Sequence, residues 1–465
     1  MTGSLADRPI VIVSNRGPVS YRLADDGTPV ARRGAGGLVS GLGPLVRGTA
    51  TTWVAAAMSD GDRVAASVGV ADAEGFRVRL LAFDPDDWAA HYDTVCNEAL
   101  WFAHHGLFDP VYEPAWPRGW VEGAWAAHRR VNHGFADALA ADAPEGAAVL
   151  IQDYHLCLVA PRLRELRPDL RLVHFSHTPF APPQWLRFLP VPVRTELIAG
   201  LAAHHACGFH TQRWADDFAA SARSMGPAAP AAPATFVAPL GPDAGDLRST
   251  IESSAAQAAS ADLDALVGDR AFVVRVDRIE LSKNVLRGFD AYAAMLEAEP
   301  ERRDTVVFGA FVYPSREGVP AYDRYRDAVA RRVSEINARF GTDGWEPIHY
   351  DAHDDYPRSM AALARADVVL VNPVRDGLNL VAKEAMLINQ RAGQLVLSPE
   401  AGAWEELADG AWAADPFDVG ATAAAIADAL DAPAIERTRR AKVLREASLA
   451  RTPAHWLADN LTAAG

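Results

Sequence analysis

Cysteine is rare in this chain, and long apolar runs are missing. Only Cys96, Cys157 and Cys207 occur among the 465 residues, and their spacing fits neither a zinc site nor a redox pair. No run approaches the roughly 18 apolar residues of a membrane span, and the N-terminus lacks the apolar core of a signal peptide. We therefore expect a cytoplasmic protein with buried thiols and with no disulfide framework, zinc site or membrane partner.

Positive charge is also scarce. The 45 Lys and Arg residues are outnumbered by 60 Asp and Glu residues, which gives a formal net charge of −15. Nucleic-acid binding depends on Lys and Arg clustered against a phosphate backbone, so we expect no nucleic-acid partner. An anionic ligand must then meet a local basic site.

Two motifs that would indicate other chemistry are missing. No Asp-x-Asp motif follows a predicted strand to hold a nucleotide-bound cation, so we expect neither a metal nor a cofactor. The first predicted strand is not followed directly by G-x-G-x-x-G, and no acidic residue stands at the spacing of a ribose ligand. Both observations argue against a dehydrogenase.

Strand-length apolar runs recur between helical patterns. They are continuous rather than alternating, which indicates strands covered on both faces and mostly parallel sheets. The runs are IVIVS near the start, AVLIQDYH from Ala148, LRLVHFSH from Leu170, AFVVRVDR, DTVVFGAF, DVVLVNP and QLVLSP. Because 465 residues exceed what one core usually organises, the sequence predicts an α/β protein with two doubly wound domains facing each other across a cleft.

The best candidate for a domain junction is the proline-rich segment 226–245. Its proline density excludes a helix and leaves room for one short strand, TFVAP. We expect an N-terminal domain over residues 1–235 and a C-terminal domain over residues 236–445. Residues 446–465 are predicted to be helical, bent at Pro453, and to cross back to the first domain.

A glycine-rich segment is the first candidate for anion binding. After the first strand the chain is expected to form a hairpin and then reaches RRGAGGLVSGLG, which starts at Arg32. Gly36 and Gly37 would let backbone amides approach an anion at a helix N-terminus. A structural turn explains these glycines equally well.

A basic pair is the second candidate. Arg278 and Lys283 stand five residues apart in RVDRIELSKN, after another buried strand. They would hold a diphosphate, the arginine by its fork and the lysine as a point charge. The simpler interpretation is two surface cations paired with Glu280 and Asp277.

Polar and aromatic residues also occur at predicted strand ends. Asp153 and His177 stand where ligands gather in open α/β sheets, and each would hydrogen-bond to sugar hydroxyls or serve as a cap. Trp101 near Tyr92 forms an aromatic pair suited to a core or to a ligand platform.

The stretch RDGLNLVAKE places Asp376 and Glu384 eight positions apart around a Gly-Leu-Asn-Leu turn. The simpler interpretation is that Asp376 caps the following helix and that Glu384 lies on its solvated face.

Taken in order, these segments resemble the trehalose-6-phosphate synthase family, which are retaining glycosyltransferases of family 20. The resemblance runs from about residue 10 to about residue 420. It is carried by SNRGPVSY, GAGGLVSGL, NEALWF, QDYHL, HFSHTPF, VDRIELSK, PSRE and RDGLNLVAKE. It implies two Rossmann-like domains facing across a cleft, the arrangement called GT-B.

The resemblance also implies a donor site for a nucleotide-sugar. Arg278 and Lys283 would bind its diphosphate, aided by backbone around Gly36 and Gly37. Glu384 would hold the ribose hydroxyls and Asp376 the hydroxyls of the donor glucose. The family pattern further assigns Gly377, Asn379 and Leu380 of the intervening turn to donor binding.

On the acceptor side, the resemblance implies a sugar phosphate, glucose 6-phosphate. Its phosphate would meet Arg16, Tyr92, Trp101 and Arg316, while Asp153 and His177 would contact sugar between donor and acceptor. The implied reaction transfers glucose to glucose 6-phosphate and gives trehalose 6-phosphate. Asp153, His177, Arg278, Lys283 and Asp376 are the expected catalytic residues.

The sequence departs from the family pattern near the diphosphate. Where the family commonly has Asp-Tyr-Ser-Lys-Gly, this chain has Glu280 to Asn284, as in actinobacterial variants; the Lys-Asn pair also resembles related enzymes that couple cyclitols. Ala181 replaces the final proline of Pro-Phe-Pro. The donor base is a further open point: Asp354 or Asp355 would accept hydrogen bonds from guanine, so that GDP-glucose is used at least as well as UDP-glucose, or both cap the next helix.

Three alternatives remain open. In the first, the chain is a transferase that uses another phosphorylated acceptor. In the second, it couples cyclitols without a true sugar donor. In the third, it is a non-catalytic sugar-phosphate sensor. Retention of all four acceptor-phosphate positions favours a sugar-phosphate acceptor. Assembly into a homo-oligomer is also left open.

Overall fold

The computed structural model describes residues 8–34, 37–226, 233–316 and 318–465, which belong to two compact units. The first unit covers Met1–Leu240 and Pro453–Gly465, and the second covers Gly241–Thr452. The domain boundaries expected at residues 235 and 445 stay a prediction.

The first unit is built on an eight-stranded sheet. Its order is β10-β9-β8-β7-β1-β4-β6-β5, and all neighbours are parallel except the edge strand β5, which pairs with β6 in the antiparallel sense. The strands are β1 (Ile10–Ser14), β4 (Thr52–Ala56), β5 (Val70–Ala73), β6 (Phe76–Leu81), β7 (Ala148–Gln152), β8 (Arg171–Ser176), β9 (Ala206–Phe209) and β10 (Ala234–Val237). The predicted hairpin is also present, as β2 (Val19–Leu23) and β3 (Pro29–Arg33).

Helices connect these strands. The α-helices of the first unit are α1 (Gly37–Val46), α2 (Asp60–Ala66), α3 (Pro85–Ala89), α4 (Trp101–His105), α5 (Ala126–Asp142), α6 (Val159–Leu166), α7 (Pro183–Leu186), α8 (Val191–Ala202), α9 (Gln212–Ser224) and α19 (Pro453–Ala464). The segments Ala90–Leu100 and Val121–Trp125 are π-helical, and Tyr154–Leu156 is a 3₁₀ turn.

The second unit is built on six parallel strands in the order β13-β12-β11-β14-β15-β16. They are β11 (Ala271–Ile279), β12 (Val306–Pro314), β13 (Ile348–Asp351), β14 (Val368–Val371), β15 (Gln394–Leu397) and β16 (Trp412–Ala413). The helices are α10 (Ala244–Ile251), α11 (Ser254–Val267), α12 (Val285–Ala298), α13 (Pro320–Phe340), α14 (Tyr356–Arg365), α15 (Leu380–Ile388), α16 (Trp404–Leu407), α17 (Val419–Asp431) and α18 (Ala434–Leu449), with 3₁₀ turns at Leu281–Lys283 and Pro300–Arg302.

Each predicted apolar run forms a strand, and the parallel α/β class is confirmed. Strands β7 and β15 are buried at every residue, as the continuous runs predict for strands covered on both faces. In the first unit, the final helix α19 joins the core beside β7 and β8, where Ala464 packs with Leu150 and Val173. Pro453 begins this helix, a position that tolerates the missing proline N–H.

The strand orders locate where ligands should bind. In the first unit the chain progresses in opposite directions from the neighbouring strands β1 and β7, and in the second unit from β11 and β14. In doubly wound sheets, ligands bind beyond the carboxyl ends of the two strands at such a switch point. Residues directly after β1, β7, β11 and β14 are therefore the first candidates for a functional site.

Two expectations from composition concern the whole molecule. All three cysteines are buried thiols, as the sequence predicts. In the described part of the chain, no helix is both long enough and apolar enough to cross a membrane.

Candidate active site

A lysine and a carboxylate meet at the switch point of the second unit. Lys283 lies in the 3₁₀ turn after β11, and Asp376 lies in the turn after β14. The Lys283 Nζ is 2.6 Å from Asp376 Oδ2 and 3.7 Å from Asp277 Oδ1. The fold thus joins two of the predicted donor residues that are 93 positions apart in sequence.

These neighbours keep Lys283 charged. Burial opposes the ammonium form, but the carboxylates of Asp376 and Asp277 outweigh it and raise the pKa of Lys283 above its usual value. Burial itself raises the pKa of Asp277, against the opposing charges of Arg275 and Lys283. Lys283 is therefore a protonated cation that two carboxylates hold at the carboxyl ends of the central strands.

Arg278 and Arg316 share a buried counter-ion, Glu280. Its Oε1 lies 3.1 Å from Arg278 Nη1 and 4.0 Å from Arg316 Nη2, and it accepts a hydrogen bond from Ser315 Oγ at 3.0 Å. Burial disfavours the charged form of Glu280, yet the two guanidinium groups and Lys283 lower its pKa to about 2. Glu280 is therefore ionised at neutral pH.

The simpler interpretation of the basic pair is only partly right. Arg278 does pair with Glu280, and Lys283 does pair with Asp277, but both carboxylates are buried rather than at an open surface. The Arg278 side chain keeps 42% of its surface exposed. Arg278 is a partly exposed cation oriented by the buried Glu280, and such a guanidinium group is suited to bind a phosphate.

The turn after β14 corrects the simpler interpretation of Asp376. Asn379, in the left-handed conformation at φ 73°, caps α15 by accepting a hydrogen bond from the Ala382 amide. Asp376 instead accepts hydrogen bonds from the Leu378 amide at 3.3 Å and from Asn379 Nδ2 at 3.2 Å. Interpreting Asp376 as the cap was therefore wrong, because the shape of this turn places Asn379 at the N-cap position and turns Asp376 toward Lys283.

Glu384 is not on a solvated face either. It lies half-buried on α15, four residues after Leu380, the first residue of that helix. Burial, with the negative charge of Asp246 as a second cause, raises the pKa of Glu384 to about 7. A carboxyl group poised between its two forms near neutral pH is a frequent mark of a binding or catalytic site.

The two candidate base-reading aspartates differ in their surroundings. Asp355 caps α14, since its Oδ1 accepts a hydrogen bond from the Arg358 amide at 3.0 Å. Asp354 is exposed. Burial raises the pKa of the Tyr313 hydroxyl at the end of β12, and the negative charge of Asp354 adds to that increase. The capping interpretation therefore applies to Asp355.

The departure at Asn284 has a backbone explanation. Asn284 adopts the left-handed conformation at φ 59°, where the family pattern has glycine. Asparagine is one of the few other residues that visit this region readily. Its Nδ2 also donates to the Asn372 carbonyl at 3.0 Å and the Pro416 carbonyl at 2.7 Å, so the turn that carries Lys283 is tied to the sheet.

In the first unit, Arg16 and Tyr92 meet near the end of β1. Arg16 Nη2 donates to the Tyr92 hydroxyl at 2.9 Å, and Tyr92 stacks on Trp88 with a centroid distance of 5.5 Å. Trp101 is buried and stacks on His105 at 3.9 Å. Two predicted acceptor residues are thus in direct contact, while Arg316 belongs to the second unit and its Glu280 network.

Asp153 and His177 also come together, after β7 and β8. Asp153 adopts φ 70°, an uncommon conformation for this residue type, and its Oδ1 accepts a hydrogen bond from the His177 amide at 3.2 Å. Strained backbone of this kind concentrates at functional sites. Burial, together with the nearby His174, lowers the pKa of His177 to about 3, so its ring is neutral at physiological pH.

Hydrogen bonds fix the tautomer of His177. The Leu240 amide donates to His210 Nδ1 at 3.4 Å, which leaves the proton of His210 on Nε2, 3.2 Å from His177 Nδ1. His177 Nδ1 is then the acceptor, and its Nε2–H points to Gln152 Oε1 at 2.9 Å. His177 is therefore a neutral hydrogen-bonding group held by two side chains that the sequence analysis missed.

A second histidine pair lies behind Arg16 and Tyr92. His91 Nδ1 is 2.9 Å from His128 Nδ1, with Cys96 Sγ close to both, a grouping compact enough to hold a metal ion. His91 Nε2 is also 3.3 Å from Asn15 Oδ1. Because a hydrogen bond between neutral rings accounts for the short contact, we assign this pair a bracing role: it connects the sequence neighbours of Arg16 and Tyr92.

The glycine-rich segment is only partly described. Gly36 lies outside the described residues, and Gly37 is the first residue of α1. The first amides of a helix lack intrahelical acceptors and can approach an anion.

Both units are doubly wound, and predicted site residues follow the switch-point strands of each, which is the arrangement of GT-B glycosyltransferases. The model of glycosyltransferase family 20 matches residues 8–464, and the chain belongs to this family. A trehalose-6-phosphate synthase of Mycobacterium sp. (strain JLS) is 33% identical over 474 residues, covering 97% of this chain and 95% of that protein.

Solved structures agree with this assignment. An α,α-trehalose-phosphate synthase (UDP-forming) from Burkholderia xenovorans, in complex with glucose 6-phosphate, is 27% identical with a TM-score of 0.82, covering 97% of this chain and 98% of that one. A structure from E. coli bound with UDP-2-fluoro glucose is 26% identical with a TM-score of 0.84, covering 97% and 99%. The predicted GT-B class is confirmed.

Proposed function

We propose that this chain is a retaining glucosyltransferase that moves glucose from a nucleoside diphosphate-glucose to glucose 6-phosphate and forms α,α-trehalose 6-phosphate. The contact between Lys283 and Asp376 carries the proposal, because it holds a cation suited to a diphosphate beside a carboxylate suited to sugar hydroxyls. The name of the mycobacterial relative and the ligands of the two solved structures support the same substrates.

On the donor side, Arg278 and Lys283 bind the diphosphate. Asp376 receives hydrogen bonds from the glucose hydroxyls, and the turn at Gly377, Asn379 and Leu380 shapes the surrounding backbone. Glu384 accepts hydrogen bonds from the ribose hydroxyls. The support is the position of this group after β11 and β14, the switch point of the second unit.

On the acceptor side, Arg16 and Tyr92 bind the phosphate of glucose 6-phosphate, with Trp101 and Arg316 as further ligands. The support is the hydrogen bond that already orients Arg16 toward the Tyr92 hydroxyl. Asp153 and His177 hold sugar hydroxyls. His177 does so as a neutral ring, since burial lowers its pKa far below neutral.

Front-face displacement accounts for retention without a carboxylate nucleophile. The bond between the anomeric carbon and the diphosphate oxygen breaks, and a bond to the 1-hydroxyl oxygen of glucose 6-phosphate forms on the same face. The hydroxyl proton passes to the leaving phosphate oxygen. Positioning and stabilisation of the departing anion by Arg278 and Lys283 then supply most of the rate.

The test is incubation of the purified chain with glucose 6-phosphate and UDP-, GDP- or ADP-glucose, with detection of released nucleotide. Mass spectrometry and NMR then identify the disaccharide phosphate. An α,α-1,1-linked product supports the proposal. Nucleotide release only with another phosphorylated acceptor or a cyclitol would refute the substrate, and binding of glucose 6-phosphate without turnover of any donor would favour a sensor.

For the donor base, we propose that Asp354 accepts hydrogen bonds from guanine N1 and N2, so that GDP-glucose is used at least as well as UDP-glucose. We expect Asp354→Ala to raise the KM for GDP-glucose by roughly tenfold and to leave that for UDP-glucose unchanged, since one lost bidentate contact to a base is worth about 1–3 kcal/mol. Asp355→Ala is the comparison, because that residue caps α14. Clear preference of the wild type for UDP-glucose would reject the idea.

The ionisation of Glu384 predicts a pH-dependent affinity for nucleotide. Its raised pKa of about 7 means that the free protein carries a proton there below neutral pH. Ribose hydroxyls donate to the carboxylate, so binding favours the ionised form and releases that proton. We expect affinity for the nucleoside diphosphate to rise by roughly tenfold between pH 6 and pH 8.

Isothermal titration in buffers of different ionisation enthalpy measures this proton release. In Glu384→Gln the extra pH dependence should vanish, leaving only the titration of the nucleotide's own phosphate. An identical pH profile in the variant and the wild type would contradict the role of Glu384.

A further inference from the structure

Glu280 joins two arginines to which the proposed function gives different substrates. Arg278 binds the diphosphate of the donor, and Arg316 binds the phosphate of the acceptor. The structure places both guanidinium groups against one carboxylate oxygen, Glu280 Oε1, at 3.1 Å and 4.0 Å. Arg278 lies near the carboxyl end of β11, Glu280 directly follows that strand, and Arg316 follows β12, all in the second unit.

The contacts among the described residues hold this carboxylate through one oxygen, Oε1, while Oε2 is buried without a hydrogen-bond partner, so the group has room to become better ordered. Glu280 has no exposed side-chain surface, and Ser315 Oγ donates to Oε1 at 3.0 Å. The Arg316 side chain is only 7% exposed, donates to the Tyr322 hydroxyl and lies with its guanidinium carbon 5.2 Å from the centre of that ring. Arg278 contacts Glu280 and reaches outward, with 42% of its side chain exposed.

A buried ion pair seldom adds net stability, because desolvation of the charges offsets their attraction. The cluster therefore calls for another explanation than stability. An arginine fixed in advance loses less conformational freedom when it binds a phosphate. When one carboxylate contacts two arginines, a change in the conformational freedom of one arginine side chain affects that of the other.

We propose that Glu280 is a positioning residue that couples donor and acceptor binding through Arg278 and Arg316. A diphosphate bound to Arg278 orders Glu280, which in turn orders Arg316 for the phosphate of the acceptor. The coupling is reciprocal, as any linkage between two binding equilibria must be. This inference rests on the proposed function.

A purely electrostatic role gives the opposite expectation. Glu280→Gln removes a negative charge beside two phosphate sites, which by itself would strengthen the binding of each anion. Loss of positioning instead removes the cooperation between the two ligands and lowers kcat. The measurement that separates the two roles is therefore the change in one ligand's affinity caused by the other.

The experiment titrates glucose 6-phosphate into the full chain with and without saturating UDP or GDP. In the wild type we expect the nucleotide to tighten glucose 6-phosphate binding at least about fivefold, the lower end of usual coupling. In Glu280→Gln the factor should fall to about one and kcat should drop at least about tenfold. Glu280→Asp keeps the charge on a shorter side chain, so it should recover part of both.

Glu406→Gln is the matched control, since Glu406 forms an ion pair with the buried Lys383 in the same unit and has no proposed contact with substrate. Its coupling factor should equal that of the wild type. A coupling factor near one in the wild type, or an unchanged factor in Glu280→Gln, would overturn the inference while leaving the transfer reaction intact. Should Glu280→Gln not fold, Ser315→Ala removes the hydrogen bond that holds Glu280 Oε1 and should lower the coupling factor, and an unchanged factor in that variant would likewise overturn the inference. Failure of the wild type to bind either ligand would overturn both proposals.

Discussion

Replacement of Lys283 by alanine is expected to lower kcat by about 100-fold or more. Lys283 is the cation held at the switch point of the second unit, and it faces the negative charge that develops on the departing diphosphate. Removing one electrostatic donor to a developing anion typically costs this much. The measurement is kcat with both substrates saturating, below the unfolding temperature of the variant.

The same change should also reduce stability. Asp376 and the buried Asp277 would lose a cation at 2.6 Å and 3.7 Å, and breaking a buried pair from one side costs roughly 3–5 kcal/mol at most. Lys442→Ala is the control for both quantities, since Lys442 lies exposed on α18, where it pairs with Glu446. A Lys283→Ala variant with the kcat of the wild type would remove Lys283 from the reaction.

Replacement of Arg16 by alanine is expected to raise the KM for glucose 6-phosphate by roughly 10- to 100-fold, with a smaller change in kcat. A hydrogen bond to a charged group is worth about 1.5–3 kcal/mol, and each 1.4 kcal/mol is tenfold in affinity. Initial rates at saturating donor and varied glucose 6-phosphate give both constants. Tyr92→Phe keeps the ring but removes the hydroxyl that accepts from Arg16, so its effect should be smaller.

Arg22→Ala provides the comparison, because Arg22 is exposed on β2 in the same unit. It removes an equal charge without touching the proposed phosphate site. If Arg16→Ala and Arg22→Ala gave the same KM, the phosphate would bind elsewhere and the acceptor assignment would fall.

The sequence predicted the positions of the strands better than the side-chain contacts made by the segments that follow them. Runs such as AVLIQ and QLVL form fully buried strands, because a strand covered on both faces leaves a continuous apolar signature. The π-helix at Ala90–Leu100 leaves no such signature, since its residues suit an α-helix as well. It brings His91 and Cys96, five positions apart, to the same histidine partner, His128.

Ionisation was the least predictable property of the site. The pattern around Glu384 indicated a solvated helix face, but the fold buries this carboxyl group, and α10, far earlier in the chain, adds the charge of Asp246, so its pKa is raised. Likewise, nothing local in RIELSKN shows that Glu280 is fully buried between two arginines. Such properties depend on which distant segment covers a residue, and a short sequence window does not contain that information.

The place of α19 in the first core has a consequence for biosynthesis. Trp456 has no exposed surface, and its ring centroid lies 4.8 Å from that of Phe175. Ala464 packs in one cluster with Leu150 and Val173. The strands in this core are translated before the second unit, whereas α19 is translated only after all of Gly241–Thr452. On the ribosome, the first unit therefore waits with an uncovered apolar face while the second is synthesised, and the part made first is the part completed last.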